Sequence, residues 1–146
     1  MKIIYRKAAE IDEPKILALL EESQLPTESL GTNRTEFFIA EEDGVIVGVA
    51  GFEYYGDDTL LRSVAIQSNQ RNRGIGSAMV DWMLSRAIDG GTRRIVLLTN
   101  TARKFFEKKG FMVIDRSLIT NDAMKNSPEF ASVCPSSSTI MMLDFR

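Results

Sequence analysis

Apolar residues recur along this chain with two different periods. Short, β-branched or alternating apolar runs mark strands beginning at Ile3-Ile4-Tyr5, over Phe37–Glu41, over Val45–Tyr54, from Leu60 through Ile66, over Arg94–Leu98, from Phe111 and over Thr139–Phe145. Helical spacing appears at Ile16, Leu17, Leu19 and Leu20, where Asp12 is a candidate N-cap, Pro14 fits the first turn and the helix ends near Ser23. It returns at Ile75, Ala78, Met79, Trp82 and Met83, with Val80, Leu84 and Ile88 beside them, until Gly90-Gly91 stops the helix. So broad a face is expected to pack on a sheet. A shorter helix runs through Phe105 and Phe106, capped by Asn100 or Thr101 and stopped by Gly110 in the C′ position.

Turn chemistry orders these elements. Asp43-Gly44 predicts a tight hairpin, and Gly56-Asp57-Asp58 turns the chain again, so three consecutive antiparallel strands lead to residue 66. Gly48 and Gly51 inside the second of them predict a bulge or a close backbone approach. The strand–helix–strand unit that follows predicts a parallel pair with a right-handed crossover. Leu25-Pro26-Thr27 interrupts the first helix, and a short second helix is expected before Gly31. From Ser117 to Ser138 the polar composition predicts a loop with one helical turn near Asp122–Lys125.

With 146 residues, 44% of them hydrophobic, the chain has material for one core, and a single domain over residues 1–146 is expected. A net charge of −2 from 18 basic and 20 acidic residues carries no signal for nucleic acid. The apolar runs are too short to span a membrane and no signal peptide is visible, so a cytoplasmic protein is expected. One cysteine and no histidine exclude an internal disulfide, a standard zinc site and the Ser-His-Asp and Cys-His machines; no metal is expected.

The chemistry concentrates between residues 60 and 79. An apolar strand feeds a polar, basic, glycine-containing loop that opens a helix, and the first turn of a helix offers unpaired N–H groups and a positive dipole end to an anion. Arg71 and Arg73 add donors suited to phosphate oxygens, and Gly74 and Gly76 let the backbone approach closely. A plain strand–turn–helix link with a solvated basic loop is the alternative. No Lys follows either glycine, as a P-loop requires, and Met79 stands where the dinucleotide fingerprint has its third glycine.

Arg71-Asn72-Arg73-Gly74-Ile75-Gly76 resembles the Gln/Arg-x-x-Gly-x-Gly/Ala signature of the GNAT superfamily of N-acetyltransferases, and it lies, as there, between a strand and a helix. Ala102-Arg-Lys-Phe-Phe-Glu-Lys-Lys-Gly-Phe111 resembles the second signature, and the likeness covers roughly Ile3 to Val113. Phe130-Ala-Ser-Val-Cys134-Pro135-Ser, with Leu61-Leu-Arg-Ser-Val-Ala and Leu98-Thr-Asn-Thr-Ala, is similar to small acetyltransferases found with arsenic-resistance determinants. The resemblance implies an α/β (α+β) GNAT-like fold: a mixed central sheet, antiparallel in its N-terminal half, with a parallel pair at the cofactor cleft and helices on both faces. It implies acetyl-CoA as co-substrate, held by the strand Val64-Ala65-Ile66, whose Val64 and Ile66 backbone groups bond the pantetheine amides. It further implies that N–H groups from Arg71 to Ser77 hold the pyrophosphate, and that Asn100 touches the cofactor arm. Residues 25–31 would form a wall of the acceptor pocket, or else a plain surface connection. The family's usual tyrosine, thought to protonate the leaving thiolate, falls on Phe106, which has no proton to give.

Acyl transfer to an amine needs a base, and without histidine a carboxylate is the natural one. Glu53, near the end of its strand, is the candidate, unless it is an exposed strand carboxylate; Glu41 and Glu42 sit beside a turn and are poorer choices. Arg62 interrupts an apolar strand and either pairs with Glu53 or holds a substrate carboxylate. Cys134 is either an acyl carrier or a pocket-lining structural cysteine. The expected activity is direct acetyl transfer from acetyl-CoA to the amine of a small, amino-acid-like molecule. A non-catalytic acyl-CoA-binding module and a protein lysine or N-terminal acetyltransferase stand as alternatives, and a homodimer stays open.

Overall fold

The computed structural model describes residues 2–32, 34–132 and 138–145. Seven strands hydrogen-bond in the order β1-β2-β3-β4-β5-β7-β6: β1 Ile3–Lys7, β2 Glu36–Glu42, β3 Val45–Tyr55, β4 Asp58–Ile66, β5 Arg94–Thr99, β6 Met112–Ile114 and β7 Thr139–Asp144. The helices are α1 Glu13–Glu22, α2 Ile75–Asp89, α3 Arg103–Lys108, α4 Asp122–Lys125 and α5 Pro128–Ser132. β1 with β2 and β2 with β3 pair antiparallel, β4 with β5 parallel, and β5 with β7 and β6 with β7 antiparallel, so the sheet is mixed as expected. The chain forms two compact units, one holding the residues up to Glu53 with Ser63–Arg86, the other Tyr54–Arg62 with the chain from Ala87 onward.

In the first unit β2 carries helices on both faces, because successive side chains of a strand point to opposite sides. Phe37 and Ile39 pack with Val49 and Ala65 against Ile16, Leu19 and Leu20 of α1. Phe38, between them, meets Phe52 and Trp82 of α2 edge-on, with Arg86 4.8 Å above its ring. Asp43 and Gly44 both have positive φ at the hairpin tip. The register of β2 on β3 slips between Ala40 and Glu41, opposite Gly48, where an added Cβ would lie 2.7 Å from Ile66 Cδ1; at Gly51 it would lie 2.7 Å from Thr35 Cγ2. Both glycines are thus close-approach positions.

In the second unit Leu60, Val96 and Ile140 from the strands pack with Ile119, Met124 and Phe130. Gly110, with φ +98°, ends α3.

Several local expectations need correction. The stretch before Gly31 is a series of turns, not a second helix. The segment from Ser117 contains α5 as well as the expected α4, after a 3-10 turn at Arg116–Leu118. Asp12 does not cap α1 with its side chain: the carboxylate accepts from the Arg6 guanidinium at 2.9 and 3.2 Å and from Ala9 N–H at 2.7 Å. α3 is started by neither Asn100 nor Thr101; the Thr99 hydroxyl accepts from Ala102 N–H at 3.0 Å. Leu17, Ala78 and Ile88 lie outside the buried stripes of their helices.

Candidate active site

The register between β4 and β5 runs from Asp58↔Arg94 to Leu60↔Val96 and goes no further, although both strands continue. Ser63 in β4 has φ 60°, a left-handed conformation that breaks a strand's hydrogen-bond rhythm. Beyond it Ala65 is buried, while Val64 and Ile66 are half-buried.

From Ile66 the chain makes a 3-10 turn over Ser68–Gln70 and enters an exposed loop at residues 71–74, where Asn72 and Gly74 have φ 69° and 80°. An added Cβ at Gly74 would meet nothing within 4 Å, so glycine is used there for its backbone conformation. At Gly76 the Cβ would lie 3.4 Å from Ile66 Cγ1, so glycine lets the helix sit close on the strand. The first helical bond of α2 is Ala78 N–H to Gly74 O at 3.0 Å. The N–H groups of Ile75, Gly76 and Ser77 therefore precede the helical ladder, at the positive end of a helix of 15 residues. An anionic diphosphate fits this arrangement.

The side chains of the loop are anchored from elsewhere in the same unit. Arg73 grips Glu42 with both prongs, Nη1 to Oε1 at 2.9 Å and Nη2 to Oε2 at 2.8 Å, and Nη1 also donates to Gln70 Oε1. This hydrogen-bonded guanidinium holds the Glu42 carboxyl below the usual carboxylate range, and the carboxylate raises Arg73 in return. Arg71, which is exposed, donates from Nε to Ile66 O at 3.1 Å and from Nη2 to Ser23 Oγ at 3.3 Å. Glu22 Oε1 accepts from Ser68 N–H at 2.7 Å. Residues 71–77 stand together at the loop and the first turn of α2, and the Arg73 fork is filled by a carboxylate of the protein.

Glu53 is fully buried and accepts a hydrogen bond from Thr35 Oγ1 at 2.8 Å, so it is not an exposed strand carboxylate. Thr35 also lines a cavity of about 280 Å³ whose wall includes Lys7, Glu10, Glu13, Glu36 and Phe37. Lys7 Nζ pairs with Glu36 Oε2 at 3.0 Å, which leaves the wall net acidic.

In the second unit Arg62 is buried, with Nη2 at 3.7 Å from Glu129 Oε1, ion-pair range but longer than a hydrogen bond. Asn100 is exposed and its Oδ1 accepts from Ser138 Oγ at 3.2 Å. Phe106 is buried edge-on to Phe105 and Phe111, with ring centroids 5.0 and 5.5 Å away, as a packing residue would be. Cys134 lies outside the described residues. Among the described residues no group of His, Cys, Asp and Glu is placed to hold a metal ion, and no helix is long and apolar enough to cross a membrane.

Thr35, Glu129 and the Ser63 conformation escape sequence reasoning, and Glu42 enters it only as a rejected base. Each matters through a partner distant in sequence or through a backbone angle that serine does not advertise.

A family model described as an acetyltransferase (GNAT) domain matches residues 33–113. The chain belongs to the GNAT acetyltransferases. Among curated relatives, the amino-acid acetyltransferase of Aeromonas salmonicida (strain A449) is 30% identical over 103 residues, covering 69% of this chain and 22% of its own length. That of Pasteurella multocida (strain Pm70) is 26% identical over 90 residues, covering 60% and 20%. This GNAT chain thus spans about a fifth of the length of these relatives. The solved N-acetylglutamate synthase from Neisseria gonorrhoeae, complexed with coenzyme A and N-acetyl-glutamate, superposes with a TM-score of 0.85 at 21% identity, over 100% of this chain and 36% of that one. Rv2747 from Mycobacterium tuberculosis, in complex with CoA and NLQ, gives 0.80 at 26% identity, over 98% and 99%.

Proposed function

We propose that this protein transfers the acetyl group of acetyl-CoA to the amino group of a small, amino-acid-like acceptor, directly and within a ternary complex. The observation that carries the reading is the anion cradle: a glycine loop with positive φ at Gly74, ahead of three N–H groups of α2 that precede the helical ladder. That is where the diphosphate of acetyl-CoA binds, with Val64-Ala65-Ile66 along its pantetheine arm.

The acceptor nitrogen must be neutral to attack the thioester carbonyl. A lysine-type amine with a pKa of ~10.4 is mostly charged at neutral pH, whereas an α-amino group near ~8 needs far less help. Glu53 takes the proton the nitrogen loses, directly or through water, and Thr35 orients its carboxylate. The carbon–sulfur bond breaks as the carbon–nitrogen bond forms, and the CoA thiolate takes its proton from water, since Phe106 has none to give. Arg62 holds the acceptor carboxylate, a role supported by relatives named for amino-acid acetylation. With no histidine to activate it, Cys134 carries no acetyl group.

A second reading is favoured by the glutamates of the Thr35 cavity, which suit a cationic acceptor without a carboxylate, including a peptide amine. Release of CoA thiol, followed over a panel of amino acids, simple amines and peptides, separates the readings. Free amino acids are expected to turn over, amines and peptides far less. Turnover of amines alone would move the acceptor to the acidic cavity, and CoA binding with no turnover at all would leave a non-catalytic binding module.

A further inference from the structure

Arg73 looks by composition like a phosphate ligand, but both outer nitrogens of its guanidinium are already bound within the protein. Both of its outer nitrogens meet Glu42 at 2.8–2.9 Å, and one also meets Gln70 at the start of the loop. Glu42 ends β2, on the strand that packs both helices of this unit, and its side chain is only 10% exposed. A carboxylate placed beside an anion site would weaken anion binding unless it had another task.

We infer that Glu42 is a positioning residue for acetyl-CoA binding: it makes Arg73 a strut that fixes the 70–74 loop to β2, so that backbone N–H groups, and not the Arg73 side chain, hold the diphosphate. The inference rests on the cradle reading above. A bidentate guanidinium–carboxylate pair fixes direction as well as distance, which a single lysine-type contact does not. Gln70 and Arg73 then span the loop, and the backbone between them carries Asn72 in its left-handed conformation. Glu22 under Ser68 N–H and Ser23 under Arg71 tie down the other end to α1.

The two roles for Arg73 predict opposite signs. If Arg73 were a phosphate ligand, Glu42→Gln would release it and remove a nearby negative charge, and CoA would bind as well or more tightly. If Arg73 is a strut, Glu42→Gln should weaken CoA binding roughly five- to tenfold, the scale of one partly exposed charge-assisted contact. Isothermal calorimetry with CoA measures this directly, and the change should appear in KM for acetyl-CoA far more than in kcat. Arg73→Lys keeps the charge but gives up the fork: the strut predicts weaker binding, a phosphate ligand near-parent binding. The exchanged pair Glu42→Arg with Arg73→Glu should recover part of the loss, and thermal melts of each variant report whether folding is intact. Parent-like or tighter binding by Glu42→Gln, in a wild type that binds CoA, overturns the strut alone. A wild type that binds no CoA overturns the cradle and the strut together.

Discussion

With no histidine in the chain, Glu53 is the proposed base. Buried on β3, it has a hydroxyl partner in Thr35 and sits in the first unit with the glycine loop. Glu53→Gln keeps the shape and the Thr35 contact but cannot accept a proton. Turnover at saturating acetyl-CoA should fall about a hundredfold, in line with the loss of a general base, while the calorimetric affinity for CoA stays unchanged. An unaltered turnover would make Glu53 a structural residue. The loop at residues 71–76 was legible because its glycines and its place between strand and helix are local properties. The partners of Glu53 and Arg73 were not, because Thr35 and Glu42 stand 18 and 31 residues away. Composition says that an arginine wants an anion. It does not say whether the anion is a ligand or a glutamate of the same chain.

Among the elements, those long enough to carry a period were readable, and the short α3 and α4 were expected from the punctuation and polar composition around them, but α5 was not. α2 displays its buried face at Ile75, Met79, Val80 and Met83, and β2 and β3 display theirs in continuous apolar runs. α5 spans five residues, too few for a helix to be stable on its own propensity. α4 and α5 form because Met124 and Phe130 enter the core beside Leu60 and Val96, and because Asn121 caps α4 through its Oδ1 while donating to Tyr55 O at 2.8 Å. Gly110 tests how firmly such punctuation is needed. Its φ of +98° disfavours any side chain, and an added Cβ would lie 3.3 Å from Leu143 Cδ1 of β7. Gly110→Ala should therefore cost about 1–2 kcal/mol of stability in urea denaturation, from backbone strain and a displaced leucine together. A loss below a few tenths would mean that the α3–β6 turn relaxes at no cost.

At the scale of the whole molecule, a chain without histidine has few groups that titrate near neutrality, so its stability should respond to pH mainly through carboxylates. Among the described residues, Asp12 is held below its ordinary range by hydrogen bonds from Arg6 and Ala9 N–H, Glu42 by Arg73, and Asp115 by the N–H and hydroxyl of Ser117. A carboxyl whose folded pKa is depressed binds fewer protons folded than unfolded, so it stabilises the fold above the unfolded value, and that stabilisation is lost as pH falls through the folded one. The melting temperature should accordingly be flat from about pH 6 to 8 and decline below about pH 5, where unfolded carboxylates begin to take up protons. Asp12 is the informative member, because the same Arg6 guanidinium also reaches Glu41 Oε1 at 2.9 Å and so ties the start of α1 to β1 and β2. Asp12→Asn should lower the melting temperature at pH 7, where the ion pair is intact, and bring the variant closer to the parent as the pH drops and the parent loses the same charge. Melting curves for the two proteins between pH 3 and 8 that stayed parallel would mean that Asp12 contributes shape and not charge to the fold.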